Sequence, residues 1–120
     1  MIGIDLLEIE RLERALERHP RLADRVFTQA EQDYAATRAR PGRHLAARFA
    51  AKEAVVKALG LADGFGLREI EVVSGEPPTV RLEGRVAEAA SGKSIDISLT
   101  HSRDFGAAVA LVEYSQLRSS

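Results

Sequence analysis

The chain has no cysteine and no tryptophan among its 120 residues. The absence of cysteine excludes disulfide bonds, thiolate zinc sites and a thiol nucleophile. Because only four phenylalanines and two tyrosines are present, the core must be mainly aliphatic. The three histidines, His19, His44 and His101, are too far apart in sequence to form a local metal-binding motif. The composition therefore excludes thiol chemistry and a local histidine metal site.

The sequence also lacks a strong charge imbalance, a long apolar run and a signal-peptide pattern. Its formal net charge of -1 gives no reason to expect a nucleic-acid partner. No segment approaches the roughly 20 apolar residues of a membrane span. The opening MIGIDLLEIERLERAL carries an acid at its fifth position and alternating charges soon after, unlike a signal peptide. We therefore expect a cytoplasmic protein with neither a nucleic-acid nor a membrane partner.

The composition and length of the chain are typical of one globular domain covering residues 1–120. Hydrophobic residues make up 45% of the chain and charged residues 29%, which is the ordinary soluble range. Helical periodicity dominates the first half and strand-like patterns the second, a segregation typical of α+β folds. We predict an α+β domain in which a largely antiparallel sheet packs with one long central helix and shorter helices.

The first half of the chain predicts a strand followed by helices. IGIDLL at positions 2–7 reads as a short buried strand, and a helix that Pro20 ends carries its apolar residues at helical spacing. Thr28 and Glu31 have the spacing of a capping box at the start of a later helix. The long central helix is predicted from about position 43 to Leu59, after a linker at 38–43 and before a stop at Gly60.

The second half predicts strands and one more short helix. Strands are expected in REIEVVS at 68–74 and TVRL at 79–82, and a helix in EGRVAEAAS at 83–91. SIDISLTHS at 94–102 alternates apolar and polar residues and so predicts a strand with two unlike faces. FGAAVALVEY at 105–114 is apolar on both faces, which predicts a central strand.

The central helix carries charged residues among apolar ones. At 100° per residue, Glu53 lies about 40° from Phe49 and so borders the apolar face, with Lys57 following at i+4. A carboxylate removed from water costs several kcal/mol unless it is compensated. The compensator is either Lys57, in an ordinary i,i+4 pair worth only about 0.3 to 0.5 kcal/mol, or a metal ion.

Asp5 is a second acid on an apolar element. It would either cap the helix that follows or join Glu53 in binding a cation. Two carboxylates in a protein without cysteine suit a hard cation such as magnesium. Basic residues expected to supply charge to phosphates bound there are Arg48, Lys52, Lys57 and His101. The alternative for His101 is a structural role at the end of its strand.

Three segments together resemble a known family. GID at 3–5, RFAAKEAVVKALG at 48–60 and ISLTHSRDFGAAVAL at 97–111, in this order, are similar to the bacterial holo-acyl-carrier-protein synthases, the small phosphopantetheinyl transferases. The resemblance implies that coenzyme A and magnesium bind together and that the phosphopantetheine arm is transferred to a serine of an acyl carrier protein. It does not separate a carrier of fatty-acid assembly from one of polyketide assembly.

The resemblance also implies roles for individual residues. Asp5 and Glu53 match the magnesium ligands, and Lys57 matches a lysine that stabilises charge on the phosphates, so these three are the expected catalytic residues. The residues expected to contact coenzyme A are Arg48, Lys57, Gly60 and His101. The residues expected to dock the acidic carrier protein are Arg11, Arg14, Arg21 and Arg25, although pairing with nearby glutamates is the alternative, especially for Arg14. Relatives of this length imply a homotrimer with active sites shared between subunits.

Two stretches depart from the family pattern and keep other functions open. The turn GEP at 75–77 replaces the usual Gly-Lys-Pro, and LADGFG at 61–66 replaces a loop rich in Gly-Thr-Gly. Both affect expected nucleotide contacts rather than the metal ligands. The GEP turn is the one feature that supports a non-catalytic coenzyme A binding module as an alternative to the transferase. A small magnesium-dependent hydrolase, in which water replaces the serine nucleophile, is the other alternative.

Overall fold

The computed structural model describes residues 1–115 and consists of short helices, one long helix and two antiparallel sheets. The helices are α1 Ile9–Arg18, α2 Leu22–Val26, α3 Gln29–Ala36, α4 Pro41–Leu59 and α5 Gly84–Ala89. The strands are β1 Ile2–Glu8, β2 Ile70–Val73, β3 Thr79–Leu82, β4 Lys93–His101 and β5 Phe105–Tyr114, with a 3-10 turn at Leu67–Glu69 before β2. The predicted α+β class is confirmed.

The larger sheet joins β1 to the last two strands of the described residues, β4 and β5. Its strand order is β1-β5-β4, and both pairings are antiparallel, whereas β2 and β3 form a separate hairpin. The central position predicted for β5 from its apolar character on both faces is confirmed. Asp5 lies opposite Ala108 in the β1–β5 pairing, and Ala108 lies opposite Leu99 of β4. The first strand is thereby fixed against the last strand.

Helix α4 packs across one face of the larger sheet at very short range. A Cβ atom placed on Gly3 of β1 would lie 1.9 Å from the carbonyl oxygen of Ala54. A Cβ atom on Gly106 of β5 would lie 2.7 Å from the backbone nitrogen of Ala47. Both clashes are with backbone atoms, so only glycine permits this approach. Asp5 follows Gly3 by two residues and therefore faces the same helix.

The prediction that β1 is a buried strand is wrong for every second residue. Ile2, Ile4 and Leu6 are between 62% and 67% exposed, whereas Gly3 on the other face is buried. The reason is that α4 covers only one face of the sheet, and β1 is an edge strand within the chain. These side chains form the outer apolar face, which consists of Ile2, Ile4, Leu6, Phe105 and Val109.

The helix boundaries follow capping chemistry. The predicted capping box is confirmed, because the Thr28 backbone amide donates to Glu31 and the Glu31 amide donates to the Thr28 hydroxyl. Gly60 ends α4 in the left-handed conformation, as predicted, with φ of 70°. The predicted linker at 38–43 is wrong at its end, because α4 already begins at Pro41 and proline suits the first helical turn. No helix within residues 1–115 combines the length and the apolar character needed to cross a membrane.

Candidate active site

Asp5 of β1 meets Lys57 of α4 at the contact between sheet and helix. The Lys57 Nζ atom lies 2.9 Å from Asp5 Oδ1 and donates a second hydrogen bond to the carbonyl of Ile4 at 3.0 Å. The predicted alternative, an i,i+4 pair of Lys57 with Glu53, is not formed among the described residues, since Lys57 pairs with Asp5 instead. Asp5 does not cap α1 either, because Glu8 occupies the N-cap position.

Glu53 lies one helical turn before Lys57 and is electrostatically coupled to Asp5. Burial raises the pKa of the Glu53 carboxyl above its usual range, the negative charge of Asp5 raises it further, and Lys57 opposes both effects. The two carboxylates are therefore close enough to repel each other. We call Asp5, Glu53 and Lys57 the carboxylate cluster. Such a cluster favours binding of a cation or of a substrate that brings one.

A second group of polar side chains surrounds the ring of Tyr34 on α3. The guanidinium carbon of Arg48 lies 4.3 Å from the ring centroid, and that of Arg38 lies 4.6 Å from it. The His44 ring contacts Tyr34 edge-on at 5.9 Å and His101 at 5.6 Å between centroids. We call these five residues the Tyr34 cluster. Its surplus of cationic groups around one ring suits phosphate oxygens of a ligand.

Arg48 is the most enclosed member of the Tyr34 cluster. Its side chain donates to the Ser74 hydroxyl at 2.9 Å and to the His44 carbonyl at 3.4 Å, while the Nε atom has no partner among the described residues. Burial lowers the pKa of the Arg48 guanidinium, and nearby Tyr34 and Glu31 oppose this. Burial and the neighbouring cationic side chains also lower the pKa of His44. Sequence reasoning missed Tyr34 and Ser74, since neither belongs to a recognisable motif.

The residues predicted to contact coenzyme A fall into two places. Lys57 belongs to the carboxylate cluster, and Gly60 ends the same helix one turn later. Arg48 and His101 belong to the Tyr34 cluster. His101 lies opposite Gly106, which in turn lies opposite Leu7, so two strand spacings, or about 10 Å, separate its strand from β1. Their roles at coenzyme A stay predictions.

The prediction that Lys52 supplies charge to bound phosphates is wrong. Its side chain is fully buried, and its Nζ atom lies 2.8 Å from the Glu31 carboxylate, which is also fully buried. The ammonium donates two further hydrogen bonds, to the carbonyls of Leu67 and Ile70. A group enclosed in this way has no free donor for a ligand. No pattern in the sequence links positions 31 and 52, so this pair could not be predicted.

The arginines predicted to dock a carrier protein differ in their surroundings. Arg14 pairs with Glu10 at 3.1 Å and approaches Glu8 at 4.0 Å, as the alternative for this residue predicted. Within residues 1–115, no ion pair involves the other three predicted docking arginines, namely Arg11, Arg21 and Arg25. Arg21 and Arg25 line a surface cleft of about 530 Å³ together with Arg18 and His19. This cleft is a basic surface near the start of the chain.

A long helix packed on a three-stranded antiparallel sheet, with Asp5 and Glu53 at their contact, defines a small α+β protein with a paired-carboxylate site. The chain belongs to the 4'-phosphopantetheinyl transferase superfamily, whose family model matches residues 1–110. The resemblance inferred from the three sequence segments is thereby confirmed.

Similar proteins support the same family. The chain is 51% identical over 119 residues to a holo-[acyl-carrier-protein] synthase of Moorella thermoacetica, covering 94% of this chain and 93% of that protein. An acyl carrier protein synthase structure from Mycobacterium tuberculosis is 39% identical, with a TM-score of 0.77, over 94% of this chain and 96% of that one. A Chronobacterium ammoniagenes synthase in complex with coenzyme A is 29% identical, with a TM-score of 0.82, over 96% and 97%.

Proposed function

We propose that this protein transfers the 4'-phosphopantetheine group from coenzyme A to a serine of an acyl carrier protein. The carboxylate cluster carries the proposal, because it occurs in a chain that matches the transferase family over residues 1–110. Similar solved structures that contain coenzyme A support this co-substrate. In the reaction the serine oxygen attacks the phosphorus that bears pantetheine. A general base takes the serine proton, the phosphorus–oxygen bond within the diphosphate breaks, and adenosine 3',5'-bisphosphate leaves with the electron pair of that bond.

The two clusters would bind different parts of coenzyme A. Lys57 is the most exposed member of the carboxylate cluster, and its ammonium would stabilise charge on the diphosphate. Arg48 and His101 in the Tyr34 cluster would contact the nucleotide, and Gly60 would contact coenzyme A at the end of α4. Phosphoryl transfer depends mainly on positioning and charge neutralisation, which these side chains provide.

We also propose that Asp5 and Glu53 hold magnesium. The fit is good, because two neighbouring carboxylates offer only hard oxygen ligands, and burial together with the charge of Asp5 raises the pKa of Glu53, so a cation there would stabilise its charged form. No group of three potential metal ligands occurs within residues 1–115, so further ligands would come from water or substrate. When bound, magnesium would neutralise charge on the diphosphate.

The direct test incubates the protein with coenzyme A, magnesium and an apo acyl carrier protein. We expect intact-mass spectrometry to show one phosphopantetheine added to the carrier serine, and no addition when that serine is alanine. Coenzyme A binding with an unmodified carrier would favour the non-catalytic binding module. Release of a coenzyme A fragment without carrier modification would favour the hydrolase.

The basic cleft formed by α1 and α2 is proposed as the docking surface for the acidic carrier. Arg21→Glu is expected to raise the KM for the carrier protein about tenfold, because it replaces attraction by repulsion at the interface. The KM for coenzyme A should change by less than about twofold. Steady-state kinetics with each substrate varied in turn measures both values.

The matched control is Arg85→Glu, which reverses a charge on α5 outside this cleft. It should leave the carrier KM unchanged, and raising the ionic strength should weaken carrier binding in the parent far more than in Arg21→Glu. If Arg21→Glu and Arg85→Glu raise the carrier KM equally, the cleft is not the docking surface.

We propose that the protein assembles as a homotrimer with shared active sites. The outer apolar face supports this, because five large apolar side chains are exposed together on β1 and β5. The neighbouring strand β4 instead presents Asp96, Ser98 and Thr100 on the same side of the sheet, so the apolar area has a polar border. In such an assembly the carboxylate cluster of one subunit would act with the Tyr34 cluster of another.

Val109→Glu is expected to prevent assembly, since it places a charge within the outer apolar face. Ser98→Glu is the matched control, because Ser98 lies directly opposite Val109 on the polar strand. Sedimentation velocity should show a trimer for the parent and for Ser98→Glu, and a monomer without transferase activity for Val109→Glu. A trimer that persists in Val109→Glu would contradict the assignment of this face.

We further propose that residues 1–120 form one domain, since α4 contributes to both hydrophobic clusters of the described structure, while residues 116–120 lie outside the described part of the chain. The cytoplasmic location stays a prediction from the sequence.

A further inference from the structure

The buried Lys52–Glu31 pair joins three elements of the fold. Lys52 Nζ, on α4, lies 2.8 Å from Glu31 Oε1, on the first turn of α3. The other carboxylate oxygen of Glu31 accepts a hydrogen bond from the Val72 amide of β2 at 2.7 Å. Glu31 Oε1 also accepts one from the Thr28 amide at 2.8 Å, which fixes the start of α3. The pair therefore determines how α3 and β2 sit against α4.

A buried ion pair is weak evidence for a stabilising role. Removing two charges from water costs several kcal/mol, and well-packed apolar side chains of similar volume are often as stable. Phe27 and Ile70 are buried beside this pair, and backbone groups of Thr28, Leu67, Ile70 and Val72 hydrogen-bond to it. The pair is better explained by the defined geometry that its hydrogen bonds impose than by stability alone.

The two residues of the pair and Val72 each lie within four positions, in sequence, of Arg48 or of a residue that contacts Arg48. Arg48 precedes Lys52 by four residues on α4, so the two side chains lie one turn apart. Tyr34, which stacks on the Arg48 guanidinium, follows Glu31 by three residues on α3. Ser74, which accepts a hydrogen bond from Arg48, follows Val72 by two residues. The Lys52–Glu31 pair and the contacts of Arg48 therefore join the same three parts of the fold, namely α4, α3 and the segment that contains β2 and Ser74. The two sets of contacts lie one helical turn apart along α4.

We propose that Lys52 and Glu31 are positioning residues for the nucleotide end of the coenzyme A site. They hold α3 and β2 at the distance from α4 that keeps the Arg48 guanidinium between the Tyr34 ring and the Ser74 hydroxyl. The inference rests on the proposed function, since it assigns Arg48 to coenzyme A. It adds that two residues without access to any ligand control the affinity for this co-substrate.

The test compares Lys52→Met with the parent in the full transfer assay. We expect the KM for coenzyme A to rise about tenfold, while the carrier KM changes by less than about twofold. Isothermal titration with coenzyme A should show the same loss of affinity. Val112→Ala, a buried substitution on β5 outside this network, is the matched control. It should lower the melting temperature without changing the KM for coenzyme A.

A double-mutant cycle with Arg48→Ala shows whether Lys52 acts through Arg48. If it does, Lys52→Met should have little further effect on coenzyme A affinity when Arg48 is already alanine. Because Lys52→Met leaves a buried carboxylate unpaired, Glu31→Gln combined with Lys52→Met is a second variant that removes both charges. This neutral variant should fold and should still bind coenzyme A more weakly than the parent.

The possible outcomes separate this inference from the proposed function. A parent protein that does not modify the carrier would overturn the function itself. If the parent transfers phosphopantetheine and both folded variants keep parental coenzyme A affinity, the pair is only structural and the inference is wrong. An equal loss in the parent and Arg48→Ala backgrounds, or an Arg48→Ala variant with parental affinity, would also overturn the inference while leaving the transferase standing.

Discussion

Glu53→Gln is expected to lower the rate of phosphopantetheine transfer by roughly a thousandfold or more, because it removes one of two charged ligands proposed for the metal. The substitution hardly changes side-chain volume, so the fold should persist. Burial and the charge of Asp5 raise the pKa of Glu53, which shows that its negative charge is unfavourable in the metal-free protein. We therefore expect the melting temperature without metal to stay the same or to rise, while activity is lost.

The matched control for this prediction is Glu88→Gln, the same chemical change at an exposed position on α5. It should keep parental activity. Initial rates measured over a range of magnesium concentrations distinguish a lost ligand from a lost fold. Parental activity in Glu53→Gln at limiting magnesium would refute the metal assignment.

Gly3→Ala is expected to have the second large effect, on stability and activity together. The new Cβ atom would lie 1.9 Å from the Ala54 carbonyl oxygen and 2.9 Å from the Ala58 nitrogen, so β1 and α4 must separate. Because both atoms belong to the backbone of a buried helix, relief is difficult, and we expect a loss of about 3 kcal/mol in the free energy of unfolding. Asp5 moves with the strand, which should lower kcat roughly 100-fold in the folded protein.

Gly66→Ala provides the control for the glycine substitution. Gly66 has a φ of -117°, which alanine adopts readily, and no atom lies within 4 Å of a Cβ placed there. Its stability in urea and its kcat should both match those of the parent. If Gly3→Ala behaved like Gly66→Ala, the close approach of β1 to α4 would not be needed to place Asp5.

Local patterns were sufficient to predict most elements of the fold. The capping box at Thr28, the stop at Gly60 and the central strand β5 depend on neighbouring residues or on strand periodicity, and each is confirmed. Glu53 was correctly placed beside the buried face of its helix by helical geometry alone, and it is half-buried in the structure. Such features are set within a few residues of the chain.

Features that depend on packing between segments distant in the sequence were not predictable. The exposure of Ile4 depends on the fact that α4 covers only one face of the sheet, which no periodicity shows. Lys57 pairs with Asp5, 52 positions earlier in the chain, rather than with Glu53, because Gly3 allows β1 to approach the helix closely. The buried pair of Lys52 and Glu31 likewise joins distant segments. In each case the deciding interaction is tertiary.

Binding of manganese, a spectroscopic substitute for magnesium, can be measured by electron paramagnetic resonance in the presence of coenzyme A. We expect one bound ion per chain in the parent and a loss of binding in both Asp5→Asn and Glu53→Gln. If both variants bind manganese as tightly as the parent does, Asp5 and Glu53 do not form a metal site.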